Sequence, residues 1–164
     1  MRAVMVLLSI CVIALTACPT ASLAEGSRTA LPNDFGIELG GRSILYTFTY
    51  QRQVNPYLGL EAGISAFGGG GNDDSTLILF FPLGGRFYFV NKDGSPFLSA
   101  GINIVSASFD SGPFDETEST TFGYLGLGFE YRADMGLLFR GSAYGLVADG
   151  DFFIWPGLYI GYAF

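Results

Sequence analysis

The chain has 164 residues with a net charge of −7, and 14% of its residues are charged while 16% are aromatic and 24 are glycines. Soluble domains are usually about a quarter charged, so the apolar excess needs a place outside water. The acidic balance argues against nucleic-acid binding, which needs a basic surface. The absence of histidine removes Ser-His-Asp and Cys-His catalysis and the commonest metal ligand. We therefore expect no catalytic site, metal or cofactor.

The N-terminus is predicted to be an export signal over residues 1–24. A positive start precedes an apolar run at 3–15 that is too short for a membrane anchor. The small residues of Ser22-Leu23-Ala24 provide a cleavage site that releases a chain beginning at Glu25.

A second processing site competes with the first. Leu15-Thr16-Ala17-Cys18 resembles a bacterial lipobox, which would make 1–17 a lipoprotein signal and leave Cys18 lipidated at the new N-terminus. We prefer cleavage after Ala24 because a protein that is itself embedded in a membrane needs no lipid anchor. Intact mass of the mature protein distinguishes the two.

Residues 25–33 form a short polar leader, after which apolar and polar residues alternate with period two to the end of the chain. This alternation predicts eight strands, or seven if residues 35–50 formed one bulged strand. Pro82 lies inside the fourth strand and predicts a bulge there. The predicted strands cover 35–41, 44–51, 57–66, 76–89, 97–104, 122–132, 137–145 and 155–164.

The connections alternate in length. Short turns are predicted at 55–56, 91–96 and 133–136, and mostly longer acidic loops at 68–75, 110–120 and 146–151. The acids of these loops either are solvated or bind divalent cations that bridge to anionic lipid; solvation is preferred because no loop has the ligand spacing of an EF-hand. Arg42, in the first hairpin, is the only base predicted at that end. The loop acids are Asp73, Asp74, Asp110, Asp115, Glu116, Glu118, Asp149 and Asp151.

The last strand, WPGLYIGYAF, carries no charge. Leu158, Ile160, Tyr162 and Phe164 share one face, and such an edge would aggregate in water. A strand that closes a barrel in lipid needs this apolar outer face. The fold class predicted is therefore all-β, an eight-stranded antiparallel up-and-down transmembrane barrel over 34–164. A soluble lipocalin-like carrier is disfavoured, because its outer face would be rich in Lys and Glu.

The export signal, the eight alternating strands and the terminal Tyr162-Ala163-Phe164 resemble the small outer-membrane barrels of the OmpA and OmpX type. The resemblance implies location in the bacterial outer membrane. It also implies that Tyr162 and Phe164 form the signal read by the barrel-insertion machinery. Implied partners are outer-membrane lipid and lipopolysaccharide, with the insertion machinery and periplasmic chaperones during biogenesis; we expect a monomer that binds no nucleic acid.

A charge cluster is predicted on the polar faces of the strands, at similar height inside the barrel. An interior of this size is filled by side chains, and buried charges there must pair. The cluster is either a gate along a narrow polar path or a salt-bridged plug, and the plug is preferred. Tyr88, Tyr144 and Asn103 share these faces; the cluster consists of Glu38, Glu61, Arg86, Glu130 and Arg140.

The function predicted is a non-enzymatic outer-membrane barrel with a structural, adhesive or surface-interaction role. The alternative is a narrow porin-like pore for small solutes. A lipid-modifying outer-membrane enzyme is less favoured, because enzymes of that kind on this scaffold use a catalytic histidine.

Overall fold

The computed structural model describes residues 27–70, 75–111, 114–148 and 151–164. The predicted export signal, both processing sites and Cys18 lie outside the described residues, as do three of the predicted loop acids, Asp73, Asp74 and Asp149. Among the described residues, no helix is long and apolar enough to span a bilayer.

One short helix precedes eight strands that form a closed antiparallel barrel in sequence order, with β1 paired to both β2 and β8. This confirms the predicted fold class. The elements are α1 (Ser27–Ala30), β1 (Asn33–Gly40), β2 (Tyr46–Asn55), β3 (Leu58–Gly70), β4 (Ser75–Tyr88), β5 (Gly94–Ser111), β6 (Phe114–Arg132), β7 (Leu137–Ala148) and β8 (Asp151–Ala163).

The first hairpin is a true reversal, so the seven-strand alternative is wrong. A short 3-10 turn, Gly41–Ser43, separates β1 from β2, and the two strands pair from Asn33↔Arg52 to Leu39↔Tyr46. Gly40 and Gly41 have φ of 69° and 68°, a conformation that favours glycine. The glycine pair therefore permits the reversal.

Side chains alternate between the two faces as predicted. In β6, Leu125, Leu127 and Phe129 point outward and are more than half exposed, whereas Tyr124 and Glu130 point inward and are buried. The same alternation in the other strands leaves an apolar outer belt around a polar interior, which is the reverse of a water-soluble barrel.

The bulge predicted at Pro82 is wrong. Pro82 pairs with Asn103 of β5 without a register shift, and the pairing of β4 with β3 keeps one register from Ala62↔Leu83 to Ser65↔Phe80. The ladder between β3 and β4 omits the intervening pairs, as expected where proline supplies no N–H. The register shift lies elsewhere, between Gln53 and Asn55 of β2.

The predicted loop at 110–120 is also wrong. β5 and β6 stay paired as far as Ser111↔Phe114, so these acidic residues belong to strands. Because β2 pairs with β3 only as far as Ile64 and β7 with β6 only as far as Gly123, the middle strands extend beyond their neighbours. We call this part the projecting sheet: residues 65–70, 75–80, 105–111 and 114–122.

Both chain ends of the barrel lie with the turns that follow β2, β4 and β6, which we call the short-turn end. The projecting sheet and the first hairpin lie at the opposite, loop end.

Candidate functional site: the barrel interior

Four charged side chains form a layer of ion pairs that includes Arg42 of the first hairpin. Glu61 on β3 forms ion pairs with two guanidinium groups, with Arg42 Nη1 at 2.6 Å and Arg86 Nη2 at 2.7 Å. Arg42 Nε also pairs with Glu38 Oε2 at 3.0 Å. All four side chains are buried, so each charge here depends on its partners rather than on water.

The first hairpin delivers Arg42 into this layer. The 3-10 turn folds into the mouth of the barrel, where its three residues are buried, and Asn103 Nδ2 donates to the carbonyl of Arg42 at 2.8 Å. Trp155 Nε1 on β8 donates to the carbonyl of Ile44 at 2.9 Å. The turn is thus held from two sides, and the prediction of Arg42 as an outward base is corrected.

A second layer lies toward the short-turn end. Arg140 on β7 joins two acids, with Nε 2.6 Å from Glu130 Oε2 and Nη2 2.8 Å from Asp34 Oδ2. Arg132 Nη2 lies 3.1 Å from Asp34 Oδ2, and Tyr159 donates its hydroxyl to Asp34 Oδ1 at 2.8 Å. Asp34 therefore joins β1 to β6, β7 and β8.

α1 closes the short-turn end by placing Arg28 in the mouth. Arg28 Nε lies 3.2 Å from Glu130 Oε1, and its Nη1 donates to the carbonyls of Val90 and Lys92 at 3.1 and 2.6 Å. Its guanidinium carbon lies 4.3 Å from the centre of the Tyr88 ring, a cation–π contact. With Arg28 buried in this way, this part of the polar leader blocks the short-turn end of the barrel.

A polar chain connects the two layers. Arg86 Nη1 donates to Gln51 Oε1 at 2.6 Å, and Gln51 Nε2 donates to the Tyr88 hydroxyl at 2.8 Å. Tyr88 in turn donates to Glu130 Oε2 at 2.6 Å. With both layers, these contacts form one network from Arg42 at the loop end to Arg28 at the short-turn end.

The network contains more positive than negative groups. Among the described residues, four acids and five arginines are buried. Removing one partner of a buried pair typically costs about 3–5 kcal/mol, because the remaining charge has no compensation. Each of these charged side chains has at least one ion-pair partner, which suits a rigid filling of the barrel. Among the same described residues, no group of three or more His, Cys, Asp or Glu side chains could hold a metal ion.

No protein-family model matches the chain, and no curated protein matches it by sequence. Among solved structures, the N-terminal β-barrel domain of Pseudomonas aeruginosa OprF is 16% identical, covers 80% of this chain and 94% of that domain, and gives a TM-score of 0.59. Ail, the attachment invasion locus protein of Yersinia pestis, in complex with the heparin analogue sucrose octasulfate, is 17% identical, covers 81% and 97%, and gives 0.54. At these identities the likeness concerns the fold.

The chain has the fold of the small outer-membrane barrels. An apolar belt around a closed sheet is the surface of a protein that spans a bilayer, and this fold places the chain in the bacterial outer membrane.

The structure brings the residues of the predicted cluster together inside the barrel, in two connected layers of ion pairs. Glu38, Glu61 and Arg86 lie in the layer that contains Arg42, and Glu130 and Arg140 in the other. Tyr144 donates to Glu38 Oε1 at 2.8 Å, so the tyrosines of the inner faces take part in the network.

Sequence reasoning left four charged members of the network, Asp34, Arg132, Arg28 and Arg42, out of the predicted cluster. Asp34 lies on the same face of its strand as Glu38, and Arg132 on the same face as Glu130. The alternation of inward and outward residues therefore predicts both as interior residues. Arg28 and Arg42 lie in a helical turn and a hairpin turn, where no period-two signal exists.

Tyr162 and Phe164 point outward from the barrel and are more than half exposed. The backbone of Phe164 exchanges two hydrogen bonds with Asn33, at 2.8 and 3.0 Å. The last residue thus helps to join the end of the barrel to its beginning. Its role as an insertion signal stays a prediction.

Proposed function

We propose that this chain is a sealed, non-enzymatic barrel of the outer membrane, with a structural, adhesive or other surface-interaction role at its loop end. The observation that carries the proposal is the continuous network from Arg42 to Arg28, which fills an interior only wide enough for side chains. The loop end faces the outside and the short-turn end the periplasm, as in barrels of this kind. The lack of histidine supports the absence of catalysis.

The ligand in the Ail complex does not suit the loop end of this chain. The molecule bound in that complex, the heparin analogue sucrose octasulfate, is a polyanion. The sequence places eight acidic residues, in three separate stretches, at the loop end of this chain. The one base assigned to that end, Arg42, is buried in ion pairs. Repulsion between like charges disfavours a polyanion here.

A narrow pore is the second candidate. Several buried polar atoms on the inner faces have no hydrogen-bond partner among the described residues, including Thr47 Oγ1, Ser65 Oγ, Ser99 Oγ and Asn103 Oδ1. Such atoms offer polar contacts to a small solute inside the barrel. The two layers of ion pairs, however, would block its passage.

Single-channel recording in planar bilayers tests the proposal. We expect the refolded protein to show no conductance steps in concentrated KCl. A double variant, Arg28→Ser with Arg42→Ser, removes the side chains that close the two mouths and provides the comparison. Discrete steps from the unaltered protein would contradict the sealed barrel and favour the pore.

A further inference from the structure

The buried charges of the interior do not balance. The layer that contains Arg42 has two arginines and two acids, whereas the second layer has two acids and three arginines, Arg28, Arg132 and Arg140. Among the described residues, the buried groups therefore sum to one positive charge in excess. An uncompensated charge is strongly disfavoured in an interior of low dielectric, so the network favours one further negative charge.

Two of the arginines have hydrogen-bond donors to spare. Among the described residues, Arg86 Nε and Arg140 Nη1 have no hydrogen-bond partner, and both side chains are buried. Arg140 is also the strongest like charge acting on Arg86, so the two guanidinium groups lie near each other although they belong to β4 and β7. Because buried donors are almost always paired, the two atoms point to a further acceptor between them.

Ser99 on β5 adds a third donor. It lies directly opposite Arg86 in the pairing of β4 with β5, it is buried, and its Oγ has no hydrogen-bond partner among the described residues. On the other side of Arg86, β3 presents Gly59, where Gln51 and Gln53 fill the place that an added Cβ would take. An acceptor therefore reaches Arg86 from the side of the small Ser99 side chain.

These donors specify a small monovalent anion. Guanidinium and hydroxyl groups donate to an anion, and hydrogen bonds between two charged groups are stronger than those to a neutral acceptor. An interior that side chains fill has no space for a phosphate or for the carboxylate of a larger molecule. A water molecule accepts from the same donors but leaves the excess charge in place.

We propose that a chloride ion binds inside the barrel between Arg86 and Arg140 and accepts hydrogen bonds from Arg86 Nε, Arg140 Nη1 and the hydroxyl of Ser99. It brings the buried charge to zero and links β4, β5 and β7. With both mouths closed, the ion enters as the sheet closes. The inference goes beyond the proposed surface-interaction role and does not depend on it. Conductance tests the seal and anion-dependent stability tests the site, so the two can fail separately.

Urea unfolding in lipid vesicles tests the effect of the ion on stability. The protein is refolded in mixtures of sodium chloride and sodium gluconate at constant ionic strength, because gluconate is too large for the interior. An ion that binds only the folded state stabilises it by mass action. We expect the midpoint of unfolding to rise with chloride concentration until it saturates, and bromide to act in the same way. Equal midpoints in chloride and in gluconate would overturn the proposal.

A matched pair of serine variants locates the site. Ser99→Ala removes one donor and should raise the chloride concentration needed for half of the stabilisation by about tenfold, the usual effect of losing a hydrogen bond to a charged group. Ser65 is also buried with an unpartnered Oγ among the described residues, but it pairs with Phe80 and not with an arginine. Ser65→Ala should leave that concentration unchanged, and equal shifts from the two variants would contradict the assigned site.

Ser99→Asp replaces the ion by a negative charge of the chain itself. We expect this variant to unfold at the same midpoint in chloride and in gluconate, because its carboxylate compensates the excess charge. Ser65→Asp should keep the dependence on chloride. An undiminished response of Ser99→Asp to chloride would count against the proposal.

Anomalous diffraction shows the ion directly. Crystals of the protein refolded in sodium bromide should contain a bromide ion in contact with Arg86 Nε and Arg140 Nη1, and crystals of Ser99→Asp should contain none there. Bromide found only on the outer surface, or a water molecule between the two arginines, would overturn the proposal.

Discussion

At the scale of single residues, Glu61 is a buried charge that depends on two arginines. It lies between Arg42 at 2.6 Å and Arg86 at 2.7 Å, and all three side chains are buried. Each arginine would lose a charged partner if the carboxylate became neutral. Substitution at this position should therefore affect stability more than substitution of any exposed acid.

Glu61→Gln keeps the shape of the side chain and removes its charge. We expect the free energy of unfolding to fall by about 3–5 kcal/mol, the usual cost of an unpaired buried charge. Urea unfolding followed by the fluorescence of Trp155, the single tryptophan, measures this loss.

Glu118→Gln is the matched control, because Glu118 is exposed and surface substitutions usually change stability by no more than about 0.5 kcal/mol. Equal losses from the two variants would show that the network does not stabilise the barrel.

At the scale of elements, two short segments determine how the barrel is closed at its mouths. The 3-10 turn Gly41–Ser43 brings Arg42 in from the loop end, and α1 brings Arg28 in from the short-turn end. Neither segment is a strand, so each can be altered while the sheet keeps its pairing.

Gly41→Ala should strain the turn at the loop end. Gly41 has φ of 68°, and an added Cβ would lie 2.6 Å from Cδ of Glu38. We expect a loss of about 1–3 kcal/mol, the range for a non-glycine residue held in such a conformation. Gly141→Ala, where an added Cβ meets nothing within 4 Å, should be near neutral in the same urea experiment.

Arg28→Ala should release α1 from the barrel mouth while the sheet stays closed, because Glu130 keeps Arg140 at 2.6 Å. Limited proteolysis with mass spectrometry should then detect cleavage near Leu31 in the variant and not in the unaltered protein. Lys92→Ala, which alters an exposed side chain of the same mouth, should leave cleavage unchanged. Persistent resistance of Arg28→Ala would mean that other contacts hold α1.

At the scale of the whole molecule, closure of the sheet removes every strand edge within the lipid belt. β1 pairs with β8 from Asp34↔Ala163 to Gly40↔Gly157, so the closure depends on the final segment of the chain.

Gel migration tests this closure. The folded protein should migrate differently before and after boiling, because a closed barrel resists detergent until it is heated. A chain truncated before Trp155 lacks most of β8 and should show no difference. Identical migration of the full-length protein in both states would contradict a closed barrel.

Much of the fold could be predicted because alternation is a local signal: the inward position of Glu38 or Glu130 follows from its neighbours alone. Arg42 could not be placed, since the inward fold of its turn depends on Asn103 and Trp155, which are distant in sequence. The acids at 110–120 suggested a loop because charge is common in loops, yet here they lie on strands that extend above the lipid.

Asp34 links the chemistry of the interior to the order of assembly. Its partners Arg132, Arg140 and Tyr159 lie on the last three strands, whereas Asp34 lies on the first. A partly assembled sheet therefore carries guanidinium charges that lack this acceptor, and hydrocarbon disfavours them strongly. Neutralisation of the interior charges and pairing of β1 with β8 therefore occur together, which couples closure of the sheet to entry into the bilayer.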